Sequence, residues 1–118
     1  MADVHATRNG LEVQLKGIRA LLSGRRRMVI PWSHVIDAQP AGELARRSPG
    51  ARKGVNTNVP GLLKAGSFSK DGKRSFWDVR HADKAIVVEL RDEKFDQLVI
   101  EVDDPGTVLS AIRTARET

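Results

Sequence analysis

Apolar side chains recur at every second position in several short stretches of this chain, and a period of two leaves few folds open to it. Leu11, Val13 and Leu15 alternate with Glu12, Gln14 and Lys16, the pattern of a strand with one face buried and the other in water. Ala85 to Leu90 (AIVVEL) and Gln97 to Val102 (QLVIEV) are the most β-like segments. Their inward sets, Ile86/Val88/Leu90 and Leu98/Ile100/Val102, match, and the polar turn RDEKFDQ joins them.

Turn chemistry places further strands. Asp71-Gly72 lies between Leu62 to Ser69 and Lys73 to Arg80, and a type I′ turn needs positive φ at both central residues, which Asp-Gly tolerates. With that dipeptide as the loop, Gly66 faces Trp77, Ser67 faces Phe76 and Phe68 faces Ser75, so the indole lies across the bare glycine. One face then carries Phe68, Trp77 and Val79. Met28-Val29-Ile30 reads as a strand stopped by Pro31, and Val35 to Gln39 as another after the turn Pro31-Trp32-Ser33.

At the C-terminus, Asp103-Asp104-Pro105 offers an N-cap followed by proline at the first helical position. Val108, Leu109, Ile112 and Ala115 form an apolar stripe. Arg113 and Arg116 meet the negative end of the helix dipole.

Three segments lack such periodicity. Residues 1–10 are polar, end in Asn9-Gly10, and read as a loose, flexible tail. Between Gly17 and Gly24, Ile18, Leu21 and Leu22 fall at helical spacing, so a short helix is preferred there over a strand. From Pro40 to Pro60 the prolines at 40, 49 and 60 and the glycines at 42, 50 and 54 have loop chemistry. A loop of about twenty residues is long enough to be functional or mobile, and Arg46, Arg47, Arg52 and Lys53 make it basic.

A chain of 118 residues suits one domain, here 11–118 behind the tail, and buries roughly two-thirds of its unfolded surface. Without cysteine it has neither disulfides nor a thiolate metal site, which fits a reducing, cytoplasmic setting. No stretch approaches the about 18 apolar residues of a membrane span. The net charge of +5 is uneven: residues 1–80 hold 15 Lys/Arg against 6 Asp/Glu, and residues 81–118 hold 5 against 9. That imbalance suits an anionic partner, or two ends that attract each other.

The string Val29-Ile30-Pro31-x-Ser33-x-Val35, then Pro60-Gly61-x-x-x-x-Gly66-x-Phe68, Gly72-x-Arg74-x-Phe76, Ala85-Ile86-Val87-Val88-Glu89-Leu90 and Phe95-Asp96-x-Leu98-Val99-Ile100-x-Val102-x-Asp104-Pro105 resembles the bacterial pleckstrin-homology (PH)-like domains of small uncharacterised proteins. The likeness spans residues 11–116. It implies a mainly β fold with a C-terminal α-helix: a PH-like barrel of two near-orthogonal antiparallel sheets, about seven strands in all, capped by that helix. It implies a binding or scaffolding module rather than an activity. In eukaryotic PH domains a lysine followed by basic-x-arginine binds inositol phosphates; Lys16 and Arg25-x-Arg27 fit that pattern loosely, although a short helix between them departs from the plain hairpin of those modules.

The basic residues Lys16, Arg25, Arg26, Arg27, Arg46, Arg47, Arg52 and Lys53 are the candidate ligand-binding set. Converging arginine forks and lysine ammonium groups neutralise phosphate oxygens, and against an anionic membrane each is worth about 1 kcal/mol. A solvated basic surface is the plainer alternative. Nucleic acid is disfavoured, since no tyrosine, three phenylalanines and two tryptophans leave few aromatics to interleave with the basics. His5, His34 and His81 lack metal-ligand spacing. The serines, from Ser23 to Ser110, sit in no nucleophile motif, and Asp103-Asp104 is explained by capping. Trp77 has a packing role, whereas Trp32 is open between packing and a pocket. The expectation is a non-catalytic module without metal or cofactor, serving protein–protein interaction or self-association, or alternatively binding anionic lipid head groups or phosphorylated ligands through its basic loops.

Overall fold

The computed structural model describes residues 2–15, 27–59 and 62–117. Strands β1 (Ala2–Ala6), β2 (Leu11–Leu15) and β3 (Arg27–Ile30) form an antiparallel sheet in that order. The sequence reading had residues 1–10 as a flexible tail; instead Ala2 pairs with Leu15 and Ala6 with Leu11. The Asn9-Gly10 turn closes this hairpin, with the Thr7 N–H donating to the Gly10 carbonyl at 2.9 Å. Its alternation was hidden because the inward residues are small: Ala2 is buried and Val4 packs on the core.

The second sheet contains β4 (Val35–Pro40), β5 (Ala51–Val59), β6 (Leu63–Lys70), β7 (Lys73–Val79), β8 (Ala85–Leu90) and β9 (Gln97–Glu101), in the order β4-β8-β9-β7-β6-β5. The expected hairpin register holds, with Gly66 opposite Trp77 and Phe68 opposite Ser75, around a turn whose φ is 53° at Asp71 and 80° at Gly72. The expected meander from β6 to β8 does not. Strand β9 inserts between β7 and β8, antiparallel to β8 and parallel to β7, so the sheets are not purely antiparallel. A strand in the middle of a sheet covered on both faces is apolar on both: Leu98 and Ile100 enter one core cluster and Val99 the other.

Of residues 40–60, expected as a loop, the described ones (40–59) include a 3-10 turn (Gly42–Arg46) and then β5. Strand β5 pairs with β6 from Ala51 opposite Ser69 to Val59 opposite Leu63, with a bulge between Lys53 and Asn56. As an edge strand it is largely exposed, so it carries no inward apolar series for the sequence to display.

One core cluster lies between the sheets and the helix, joining Leu11, Val13 and Ile30 to Phe76, Val88, Leu98 and Ile112. The other, around Phe68, Trp77, Val87 and Val99, is covered by Ala41 and Ala45 of the 3-10 segment. Helix α1 (Pro105–Glu117) begins as expected, with the Asp104 carboxylate accepting the Thr107 N–H at 3.2 Å. Ile112 is fully buried, with Val108 and Leu109 beside it. The molecule is thus mainly β with a C-terminal helix packed on its sheets. In place of the expected barrel of about seven strands, the described residues give strands β1 to β9 in two separate sheets with no closed barrel. The helix expected between Gly17 and Gly24 lies outside the described residues.

Candidate binding cleft

The outer face of β7 and β9 supplies the floor of a cleft. Residues two apart on a strand share a face, so Ser75 lies beside Trp77, and the parallel register sets Gln97 opposite Ser75. All three are buried. The Trp77 indole N–H donates to Ser75 Oγ at 2.8 Å, which satisfies a buried polar edge and leaves the serine O–H to donate elsewhere.

Above this floor runs the segment after the 3-10 turn. Lys64, reaching across from β6, donates to the carbonyls of Ala45 at 3.1 Å and Arg47 at 2.7 Å, with its Nζ 5.4 Å from the centroid of the Trp77 ring. Burial lowers its pKa from the usual lysine value. Gly50 brings the same segment against β6: a Cβ there would lie 2.3 Å from the Ser69 carbonyl oxygen, and φ is 102°.

The result is a cleft of about 360 Å³ with Leu44 and Pro49 as its apolar wall. Arg47 enters from this wall, while Lys70 and Lys73 come from the two ends of the β6–β7 turn. Asp71 is the single acid in the lining. Among the described residues no carboxylate forms an ion pair with Arg47, Lys70 or Lys73. A concavity lined by one sign of charge concentrates oppositely charged ligands.

Of the described members of the basic set expected from the sequence, only Arg47 lines this cleft. Arg46 lines a separate groove of about 230 Å³ with Leu62, Leu63 and Arg80. The Arg52 guanidinium donates to the Asn58 carbonyl at 3.2 Å along β5, and Lys53 is exposed at the bulge. Arg27 pairs with Glu12 at 3.1 Å within the smaller sheet. Lys16, Arg25 and Arg26 lie outside the described residues. Sequence reasoning missed Lys70, Lys73, Ser75 and Gln97. The signal for the two lysines was present, since they flank the Asp71-Gly72 turn and a two-residue hairpin sets its flanking residues side by side.

Two of the three histidines face carboxylates, and His5 is exposed on β1. His34 Nδ1 lies 2.5 Å from Glu93 Oε2, and His81 Nδ1 lies 2.9 Å from Glu101 Oε2. Glu101 Oε1 also accepts the backbone N–H groups of Arg80 at 2.8 Å and His81 at 2.9 Å. Burial pushes the Glu101 pKa up, yet the backbone and side-chain bonds from His81, the Arg80 N–H and attraction to His81 outweigh it and hold it at about 2. Among the described residues no group of three or more His, Cys, Asp or Glu side chains could hold a metal ion. The Trp32 indole N–H donates to the Thr7 carbonyl at 2.7 Å and its ring packs on the core, tying the first hairpin to the turn before β4.

No family model, curated protein or solved structure matches the chain. The cleft therefore stands on its own chemistry. No helix among the described residues is long and apolar enough to cross a membrane.

Proposed function

We propose that this chain is a non-catalytic binding module and that its ligand is anionic, held in the cleft under Arg47, Lys70 and Lys73. The observation that carries this reading is the convergence of three cations, unpaired by any described carboxylate, over a floor of buried polar side chains. Surface cations are normally scattered and solvated, and each contributes little. Here they come from two distant segments and face one concavity. Calorimetric titration with sodium tripolyphosphate at several ionic strengths tests it: association that weakens steeply with salt is expected, and heat-silent mixing at the lowest salt overturns it.

A second reading, recruitment of a protein partner or self-association, is favoured by Val59 and Leu62, which are 45% and 55% exposed at the end of the β5–β6 hairpin. Exposed apolar side chains beside the Arg46 and Arg80 groove suit a small protein contact with a charged rim. Substituting Leu62→Ser and measuring sedimentation across a concentration series checks the self-association form. Two sheets with a C-terminal helix packed on them also support the PH-like reading of the fold, while the parallel β7–β9 pair, the larger strand number and the lack of a closed barrel among the described residues depart from it.

A further inference from the structure

We infer that the cleft receives the phosphate of a small, soluble phosphate monoester whose compact apolar body lies against Leu44 and Pro49; this rests on the anion-binding reading above. Charge selects the group. Arg47, Lys70 and Lys73 with Asp71 leave two positive charges in the lining, and a phosphate monoester carries about 1.5 to 2 negative charges near neutral pH. A carboxylate or sulfonate carries one charge and leaves the site unneutralised.

The donor set fits the same group. A phosphate presents three terminal oxygens that accept hydrogen bonds in different directions. The Arg47 guanidinium offers a planar fork, and the two lysine ammonium groups offer donors without directional constraint. The Ser75 hydroxyl, whose oxygen already takes the Trp77 N–H, has its own hydrogen to give. The Gln97 carboxamide can donate from the other side of the floor.

Size and shape select the rest. The cleft, about 360 Å³, lies near the lower limit of small-molecule sites, which start at about 300 Å³. A phosphate with one ring or a short chain fills such a volume. The exposed cations rim a concavity whose floor is buried instead of forming a flat plane, so a headgroup in a membrane is the less favoured source of the phosphate.

Amide and indole NMR shifts of the full chain, titrated with phenyl phosphate, test the inference against benzenesulfonate of similar shape and against phosphatidylserine vesicles. Phenyl phosphate is expected to saturate, moving the Trp77 indole N–H and the amides of Arg47, Lys70 and Lys73. Benzenesulfonate should bind about tenfold more weakly, since it presents the same three oxygens with up to about one unit less negative charge and so weaker charge-assisted bonds. Lys73→Ala and Arg47→Ala, both exposed positions, should weaken phenyl phosphate by a similar factor, and Arg52→Ala should not. Equal affinity for the sulfonate, or shifts away from the cleft, overturns the inference. If vesicles or tripolyphosphate bind through these residues while phenyl phosphate does not, the monoester assignment fails and the anion reading survives. If no anion binds, both fail.

Discussion

The Lys64 ammonium, rooted in a strand of the large sheet, donates at 2.7 Å to the main-chain carbonyl of Arg47 at the cleft rim. A second bond to Ala45 makes it a clamp on the end of the 3-10 turn, whose last carbonyls have no partner within the turn itself. One side chain thus joins the cleft floor to its cationic wall.

Replacing that clamp separates fold from site. Lys64→Met keeps the aliphatic stem beside Trp77 and removes the donor; water replaces it at the exposed Arg47 carbonyl, so the expected loss is about 1 kcal/mol of stability, mostly from the part-buried Ala45 carbonyl. Arg47 also loses its anchor, and tripolyphosphate affinity should fall even in the folded variant. Chemical denaturation followed by titration at low salt checks both.

The close approach at Gly50 is expected to be intolerant of any side chain. In Gly50→Ala the methyl would lie 2.3 Å from the Ser69 oxygen at a φ of 102°, combining backbone strain of about 1–3 kcal/mol with a clash that must push the wall off β6. Gly42→Ala is the control, because its φ of 58° is also positive but no atom lies within 4 Å of the added carbon. Urea unfolding should rank Gly50→Ala well below Gly42→Ala.

Glu101 gives the fold an acid limit. Its pKa drops from 4.5 to about 2 on folding, so the unfolded chain takes up this proton more readily than the folded one. The stabilisation is complete above about pH 5 and is lost as pH falls toward 2, reaching up to roughly 3 kcal/mol. Glu101→Gln should remove most of this acid-side slope and lower stability at neutral pH. Thermal melts of both proteins between about pH 2 and pH 7 measure it.

Arginines also guard the edges of the large sheet. The Arg116 guanidinium donates to the carbonyl of Ile36 at 2.6 Å, at the residue that the β4–β8 bulge leaves out of register. It thereby ties the end of α1 to an edge strand, much as Arg52 spans Asn58 on the opposite edge. Exposed strand edges invite pairing with another chain. Arg116→Ala is expected to cost about 1 kcal/mol and to raise the sedimentation coefficient as concentration increases. A monomer unchanged at every concentration tells against the guarding role.

Local pattern alone determined much of this protein. Alternation at Leu11 to Leu15 and at Ile86 to Leu90 marked strands, Asp71-Gly72 set a hairpin register that the structure reproduces pair for pair, and Asp104-Pro105 started the helix that Ile112 anchors. Each rests on interactions within a few residues: a period, a turn conformation, a cap. Strand order does not. The inward sets Ile86/Val88/Leu90 and Leu98/Ile100/Val102 left Val87 and Val99 unassigned, and both are buried on the opposite face; which neighbour β9 takes depends on how much apolar surface the whole sheet covers, and that is a non-local quantity. The same holds for the cleft. Arg47 and the Lys70–Lys73 pair are more than twenty residues apart in sequence, and only the packing of the 3-10 turn over Trp77, pinned by Lys64 and admitted by Gly50, brings their charges to one place.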